Sequence, residues 1–331
     1  MTIVTGTFET FDSIGMREDL SDIIYNISPT ETPFMMMIGR GTANATTHEW
    51  QIDTLLTEDF DNRQIEGDDI SSFTTAASTV RVTNFTQISY KTVIISGTAE
   101  VVDKAGRKSE MAYQLAKMAK ELKRDMEAVL IAGRTSADTN PQGKDIGVTD
   151  VAAQLGPYET WMTSNADQPQ NISGTGTAET DDFSPTDAAQ RVDGTVRSFT
   201  EAALKEVIRE CWTQGGDPSV IMVGPFNKQA LSAFSGNTTR FDRSEDMRLV
   251  TAVDVYVSDF GEHRVVPNRF SRDRSALIIT PRMWSVDYLR GFRQFALAKT
   301  GDAEKRELLA EYTLRASNPH ASGIVADLTT S

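Results

Sequence analysis

Between residues 46 and 98 the chain spells out a strand pair too long to stand alone. Trp50, Ile52 and Thr54 alternate with Glu49, Gln51 and Asp53, the period-two pattern of a half-buried strand. A return strand reads from about Thr79 to Ser96, with Val80, Val82, Ile88 and Tyr90 on one face and Arg81, Thr83, Gln87, Ser89 and Lys91 on the other. The phase slips after Lys91, where Val93 and Ile95 take over, which predicts a bulge or twist there. Eighteen strand residues would reach about 60 Å at ~3.3 Å each. Between the strands lies an acidic tip: Glu58, Asp59, Asp61, Glu66, Asp68 and Asp69 against one Arg63. A two-stranded ribbon is marginal in water by itself, so one this long with an apolar stripe must lie on something. If the rest of the chain does not cover it, a neighbouring copy must.

At 331 residues the chain exceeds a usual single domain, which predicts two compact lobes or one lobe with long excursions. Thirty-three basic against 47 acidic side chains give a formal charge of −14. Without a basic stripe, that balance argues against tight reading of DNA or RNA and against attraction to anionic membranes. No apolar run approaches the ~18 residues of a membrane span. The opening Met1-Thr2-Ile3-Val4-Thr5-Gly6 lacks the basic and apolar regions of a secretion signal. The single cysteine, Cys211, excludes an internal disulfide and fits a reducing compartment.

Few residues stand at spacings that chemistry would need. His48, His263 and His320 are far apart, and none has a partner at metal-ligand spacing. There is no Gly-x-Ser-x-Gly elbow. Gly143-Lys144-Asp145 lacks the first glycine of a phosphate loop, where Asp138 stands, and the hydroxyl residue after the lysine. Glu66, Asp68 and Asp69 have no EF-hand spacing and read as a solvated loop. Cys211, beside Trp212 on an apolar helix face, reads as a buried inert thiol. An acidic hydrolase would have to use Asp254, Asp259 and Glu262, which have no nucleophile near them in sequence. The expectation is no catalytic residue, no cofactor and no metal.

The remaining segments predict an α+β layout. In residues 1–45, Leu20, Ile23, Ile24 and Ile27 form one apolar stripe on a short helix that Pro29 ends. Ser28 to Pro33 is an extended spacer, followed by Phe34-Met35-Met36-Met37-Ile38, adaptable apolar surface that serves as local core or docks on another subunit. Ser109 to Ala132 is the clearest helix: Met111, Leu115, Met118, Leu122, Met126 and Val129 form its seam, Ser109 caps it and Gly133 closes it. Its other face carries Lys117, Lys120, Glu121, Lys123, Arg124 and Glu127 and reads as a wet surface. Residues 134–195 are a polar insertion whose base Tyr158 and Trp161 anchor. Residues 196–290 read as an α/β lobe. Ser198 and Glu201 form a capping box, Leu204, Val207, Ile208 and Cys211 a buried stripe, and Val220–Val223 a buried strand. A hairpin carries Val253, Val255 and Val257 in alternation with Asp254, Tyr256 and Ser258, and turns at Asp259–Glu262. The tail, through Tyr312, Leu314, Ile324 and Val325, returns to a sheet.

The order of arm, long hairpin, long helix, α/β lobe and returning strand resembles that of tailed-phage major capsid proteins, the HK97-like fold. Local strings narrow the resemblance to a major head protein family of elongated-head podophages. They are Arg17-Glu18-Asp19-Leu20 through Ser28-Pro29, Thr32-Pro33-Phe34, His48-Glu49-Trp50-Gln51-Ile52-Asp53-Thr54-Leu55, Glu66-Gly67-Asp68-Asp69, Gly215-Gly216-Asp217-Pro218, Val255 through Gly261, Val266-Pro267-Asn268-Arg269-Phe270 and Lys299-Thr300-Gly301-Asp302. They span nearly the whole chain outside 134–195.

The resemblance implies an N-arm at 1–45, an E-loop hairpin at 46–98, and a P-domain from 99–133 and 291–331 with its spine helix at 109–132. It further implies an insertion at 134–195 and an A-domain at 196–290. It implies a non-enzymatic shell protein of the virion, assembled in the host bacterial cytoplasm as hexamers and pentamers of an icosahedral shell around double-stranded DNA held non-specifically. An encapsulin-type shell is the alternative. The resemblance leaves room for decoration, portal and separate scaffolding proteins, and for no membrane. Some capsids of this fold cross-link a hairpin lysine to a neighbour's asparagine, and Lys91 is the one lysine between 46 and 98. The residues expected at subunit interfaces are Phe34, Met36, Trp50, Ile52, Arg63, Glu66, Asp68, Val80, Val82, Ile88 and Tyr90.

Overall fold

The computed structural model describes residues 31–55, 58–67, 69, 73, 78–102, 108–133, 141–163, 165–167, 193–234 and 254–330. The strands are β1 Gly39–Thr42, β2 Thr47–Ile52, β3 Val80–Phe85, β4 Gln87–Ser96, β5 Ala166–Asp167, β6 Val220–Val223, β7 Val255–Ser258, β8 Gly261–Pro267, β9 Ala276–Ile279, β10 Trp284–Ala296, β11 Ala303–Ala316 and β12 Gly323–Val325. The helices are α1 Pro33–Met37, α2 Gly97–Val101, α3 Glu110–Ile131, α4 Tyr158–Trp161, α5 Glu201–Thr213 and α6 Pro225–Ser232. The mixed architecture is the α+β layout expected. The predicted stripe Leu20, Ile23, Ile24, Ile27 lies outside the described residues, as do Asp68, Val253 and the whole polar stretch 168–192.

Two sheets carry the fold. A four-stranded sheet has the order β1-β10-β11-β4 and a six-stranded sheet the order β5-β12-β9-β6-β8-β7, while β2 and β3 form a separate pair. The long helix α3 joins them. Its Leu122, Met126, Leu130 and Ile131 are fully buried in one core with Tyr312 and Leu314 of β11 and with Met222 and Leu277 of the six-stranded sheet. The opposite face of that sheet, with Ile221, Ile278 and Tyr256, packs on Leu204, Val207, Ile208 and Cys211 of α5. Ser109 caps α3 by accepting from Ala112 N, as its sequence predicts. For α5 the cap is Thr200, which accepts from Ala203 N, so the helix starts two residues later than the Ser198 box implied.

The long hairpin is corrected in detail. Strands β2 and β3 pair over six residues only, from Thr47↔Phe85 to Ile52↔Val80. At Thr86 the chain changes sheets, and β4 pairs instead with β11 in unbroken register from Tyr312↔Gln87 to Ala303↔Ser96. No slip occurs at Lys91; the inversion of faces lies at Thr86. Val82 and Asn84 point inward on β3, whereas Ile88, Tyr90 and Ile94 point outward on β4, and Lys91 reaches Asp125 of α3 at 2.6 Å. Asn84 makes the switch affordable in hydrogen bonds. It is fully buried, its Oδ1 accepts from Phe85 N and Gly156 N, and its Nδ2 donates to Gly156 O and Leu314 O.

Other boundaries shift for similar reasons. Strand β10 runs through residue 290, and β12 pairs with β9, so the tail serves both sheets rather than one lobe. Within 134–195, Leu155, Tyr158, Trp161 and Met162 are core residues. On β7 it is Tyr256 that is buried and Val255 and Val257 that are exposed, because the tyrosine ring stacks on His263 and its hydroxyl meets Glu201.

Candidate assembly surface

The root of the hairpin is fastened to the body by polar ties. His48 on β2 bonds Asp287 Oδ2 on β10 at 2.8 Å, Ser285 Oγ donates to Asp287 Oδ1 at 2.7 Å, and Arg315 lies 3.5 Å away. Burial alone would raise the Asp287 carboxyl, but the bonds from His48 and Ser285 and the Arg315 charge outweigh it and hold the carboxyl below its ordinary range. Gly41 on β1 leaves room for this carboxylate; a Cβ there would overlap it. Thr86 donates to Glu311, which also accepts from Arg290. The Trp50 ring lies 5.5 Å from the Trp161 ring, tilted by 35°.

Beyond the root the support ends. Among the described residues between β2 and β3 no strand forms, and Leu55, Phe60, Ile65 and Phe73 are 98%, 97%, 78% and 86% exposed. Around them stand the exposed acids Glu58, Asp59, Asp61, Glu66 and Asp69, with Arg63 paired to Asp61 at 2.8 Å. Four large apolar side chains bare on one loop is an arrangement that isolated soluble chains rarely keep. These four escaped the sequence reading because they follow neither a period of two nor one of 3.6 among the acids.

The expected interface residues that are described differ in burial. Phe34, Ile52 and Val82 are corrected: they are buried in the chain's own core and offer a neighbour no surface. Trp50 is partly buried against Trp161. Met36, Arg63, Glu66, Val80, Ile88 and Tyr90 are exposed, the last two on the outer face of β4. The start of the arm is pinned by Glu127 of α3, fully buried, which accepts from Phe34 N at 2.7 Å, Met35 N at 2.9 Å and Asn268 Nδ2 at 2.7 Å. Burial pushes this carboxyl above its ordinary value, although the bonds from Met35, Phe34 and Asn268 pull it down. Its place in the core contradicts the wet-face reading of α3 at that position.

Among the described residues no three His, Cys, Asp or Glu side chains gather to hold a metal. Asp254 pairs with Lys228, and His263 of β8 is held by Ser258 and the Pro218 carbonyl. Buried Arg272 joins Glu159 and Asp193, and Arg274 joins Asp327, as struts beneath the six-stranded sheet. The Cys211 thiol is pushed up to about 12 by burial.

Solved structures share this arrangement over nearly its full length. The cyanophage A-1(L) capsid subunit superposes with a TM-score of 0.65 at 12% identity, covering 97% of this chain and 99% of that one. The Gordonia phage Cozz chain gives 0.59 at 10%, covering 99% and 98%. At such identities the likeness is one of fold, and the fold is the HK97-like capsid fold. The sequence carries the assignment further. A major capsid protein of Escherichia phage Phieco32 is 26% identical over 342 residues, covering 96% of each chain. The SU10 major capsid protein family model matches residues 3–329, and the chain belongs to that family. It is therefore a tailed-phage major capsid protein and a component of the virion, which decides against the encapsulin alternative.

Proposed function

We propose that copies of this chain close into an icosahedral shell of hexamers and pentamers around double-stranded DNA, each copy laying its loop at 53–79 over an adjacent one. The bare Leu55, Phe60, Ile65 and Phe73 on a loop whose root is rigidly tied carry this reading. Burying four such side chains is worth about 6–12 kcal/mol at ~1.5–3 each, enough to hold a subunit whose contacts repeat around a ring. The outward Ile88, Tyr90, Met36 and Val80, with Arg63, Glu66 and Asp68, complete the proposed contact set, while the −14 charge keeps unassembled subunits apart. Decoration, portal and scaffolding proteins join the shell as separate chains, and assembly takes place in the host cytoplasm. The reading needs no catalysis by this chain. Lys91 already faces Asp125 of its own helix, so a covalent lysine bond at the loop is not part of the proposal. The test is a Leu55→Ser, Phe60→Ser double variant. Its subunits should melt like wild type yet fail to form shells in velocity sedimentation; normal shells would overturn the reading.

A further inference from the structure

Outside its buried seam, α3 exposes Lys117, Lys120 and Lys123 to solvent. Spaced at i, i+3 and i+6, they rise ~9 Å and sweep about 120° round the helix. Arg124 stands among them, half-buried, with its guanidinium 5.5 Å from the centre of the Phe270 ring, and Lys123 Nζ lies 5.9 Å from that of Phe292. Two carboxylates share the face. Glu121 lies 3.8 Å from Lys117, and Asp125 is taken by Lys91 at 2.6 Å. Lys120 and Lys123 have no carboxylate partner among the described residues. The face is therefore positive in a chain whose net charge is −14. We infer that this face of α3 contacts the phosphates of the enclosed double-stranded DNA, weakly and without regard to sequence, once per copy. The inference rests on the shell reading above and adds to it the surface that meets the genome.

The make-up of the face favours a phosphate backbone over a protein partner. Lysine is a compact, hydrated charge on a flexible stem, and contacts to phosphate carry no sequence information. The other anionic candidate is the acidic loop at 53–79 of a second copy. That loop must also cover Leu55, Phe60, Ile65 and Phe73, whereas the only apolar side chains classed as exposed along α3 are Ala112 and Ala116. The strength fits as well. Three neutralised phosphates give a slope of about −2.7 in log K against log salt, a loss of roughly 40-fold between 50 and 200 mM salt. A free subunit of charge −14 therefore holds DNA poorly, while copies fixed in a shell add their contacts together.

Formaldehyde cross-linking of intact virions tests this without altering the chain. Particles are fixed briefly, unfolded and digested, and the peptides joined to DNA are identified by mass spectrometry. Lys205, on α5 and paired with Glu201 at 2.9 Å, serves as the reference. The expected result is about tenfold more DNA adduct at Lys117, Lys120 and Lys123 than at Lys205, because a lysine held beside phosphates meets DNA at a raised local concentration. DNA adducts elsewhere on the chain but not on α3 would overturn the inference and leave the shell reading standing. No adduct at any residue would count against a shell around DNA, and the inference would fall with it. Lysines of α3 joined instead to peptides from 53–79 of another copy would overturn it in favour of the loop.

Discussion

Glu127 is the most exacting place to perturb this fold. Its carboxylate serves three donors in a site closed to water, and no cation shares it among the bonds described. Glu127→Ala leaves Phe34 N, Met35 N and Asn268 Nδ2 buried without an acceptor. At ~1–3 kcal/mol for each stranded group, less what relaxation and the relieved burial of charge return, the loss is about 3–5 kcal/mol. Glu127→Gln keeps an oxygen where Phe34 and Asn268 bond and puts an amide against Met35 N, so it costs only about 1 kcal/mol. The pH dependence has a definite sign. The folded chain holds a proton on Glu127 more readily than the unfolded chain, because burial raises the carboxyl. The stability this contributes is complete below the ordinary glutamate value and fades as pH rises through the raised one. Wild type therefore loses ground relative to Glu127→Gln between acid and neutral pH. Urea unfolding of free subunits at several pH values measures all of this. An alanine variant within 0.5 kcal/mol of wild type, or a glutamine variant as weak as alanine, would refute the reasoning.

Asp287→Asn should cost about 1–3 kcal/mol at neutral pH by weakening the tie to His48 and Ser285. Since the Asp287 carboxyl is held below its ordinary range, that difference should be full above the ordinary carboxylate value and vanish as pH falls through the lowered one, read by thermal melts across the acid range. Cys211, buried and with its thiol pushed up to about 12, should resist a thiol reagent at pH 8 in native subunits and react fully after unfolding; rapid native labelling would contradict its place on the buried face of α5.

What the sequence made legible was whatever repeats at a fixed period. The α3 seam, the α5 stripe and β6 are visible because burial there follows 3.6 or a short run of mostly β-branched residues. The hairpin failed at Thr86, since a change of sheet leaves no mark in an alternating pattern: Val82 and Ile88 share parity but face opposite ways. Glu127 read as surface because its value comes from donors at residues 34, 35 and 268, distant in sequence. The loop tip was legible as acidic but not as apolar. Its exposed aromatics have no local periodicity, and only the three-dimensional result shows that nothing among the described residues covers them.

The central claim is that this loop finds its cover on another copy. The direct measurement is a Phe60→Cys variant labelled with a soluble thiol reagent as free subunits and again as assembled particles. Ready labelling of the subunit and strong protection in the particle is the outcome expected; equal labelling in both states would contradict the account.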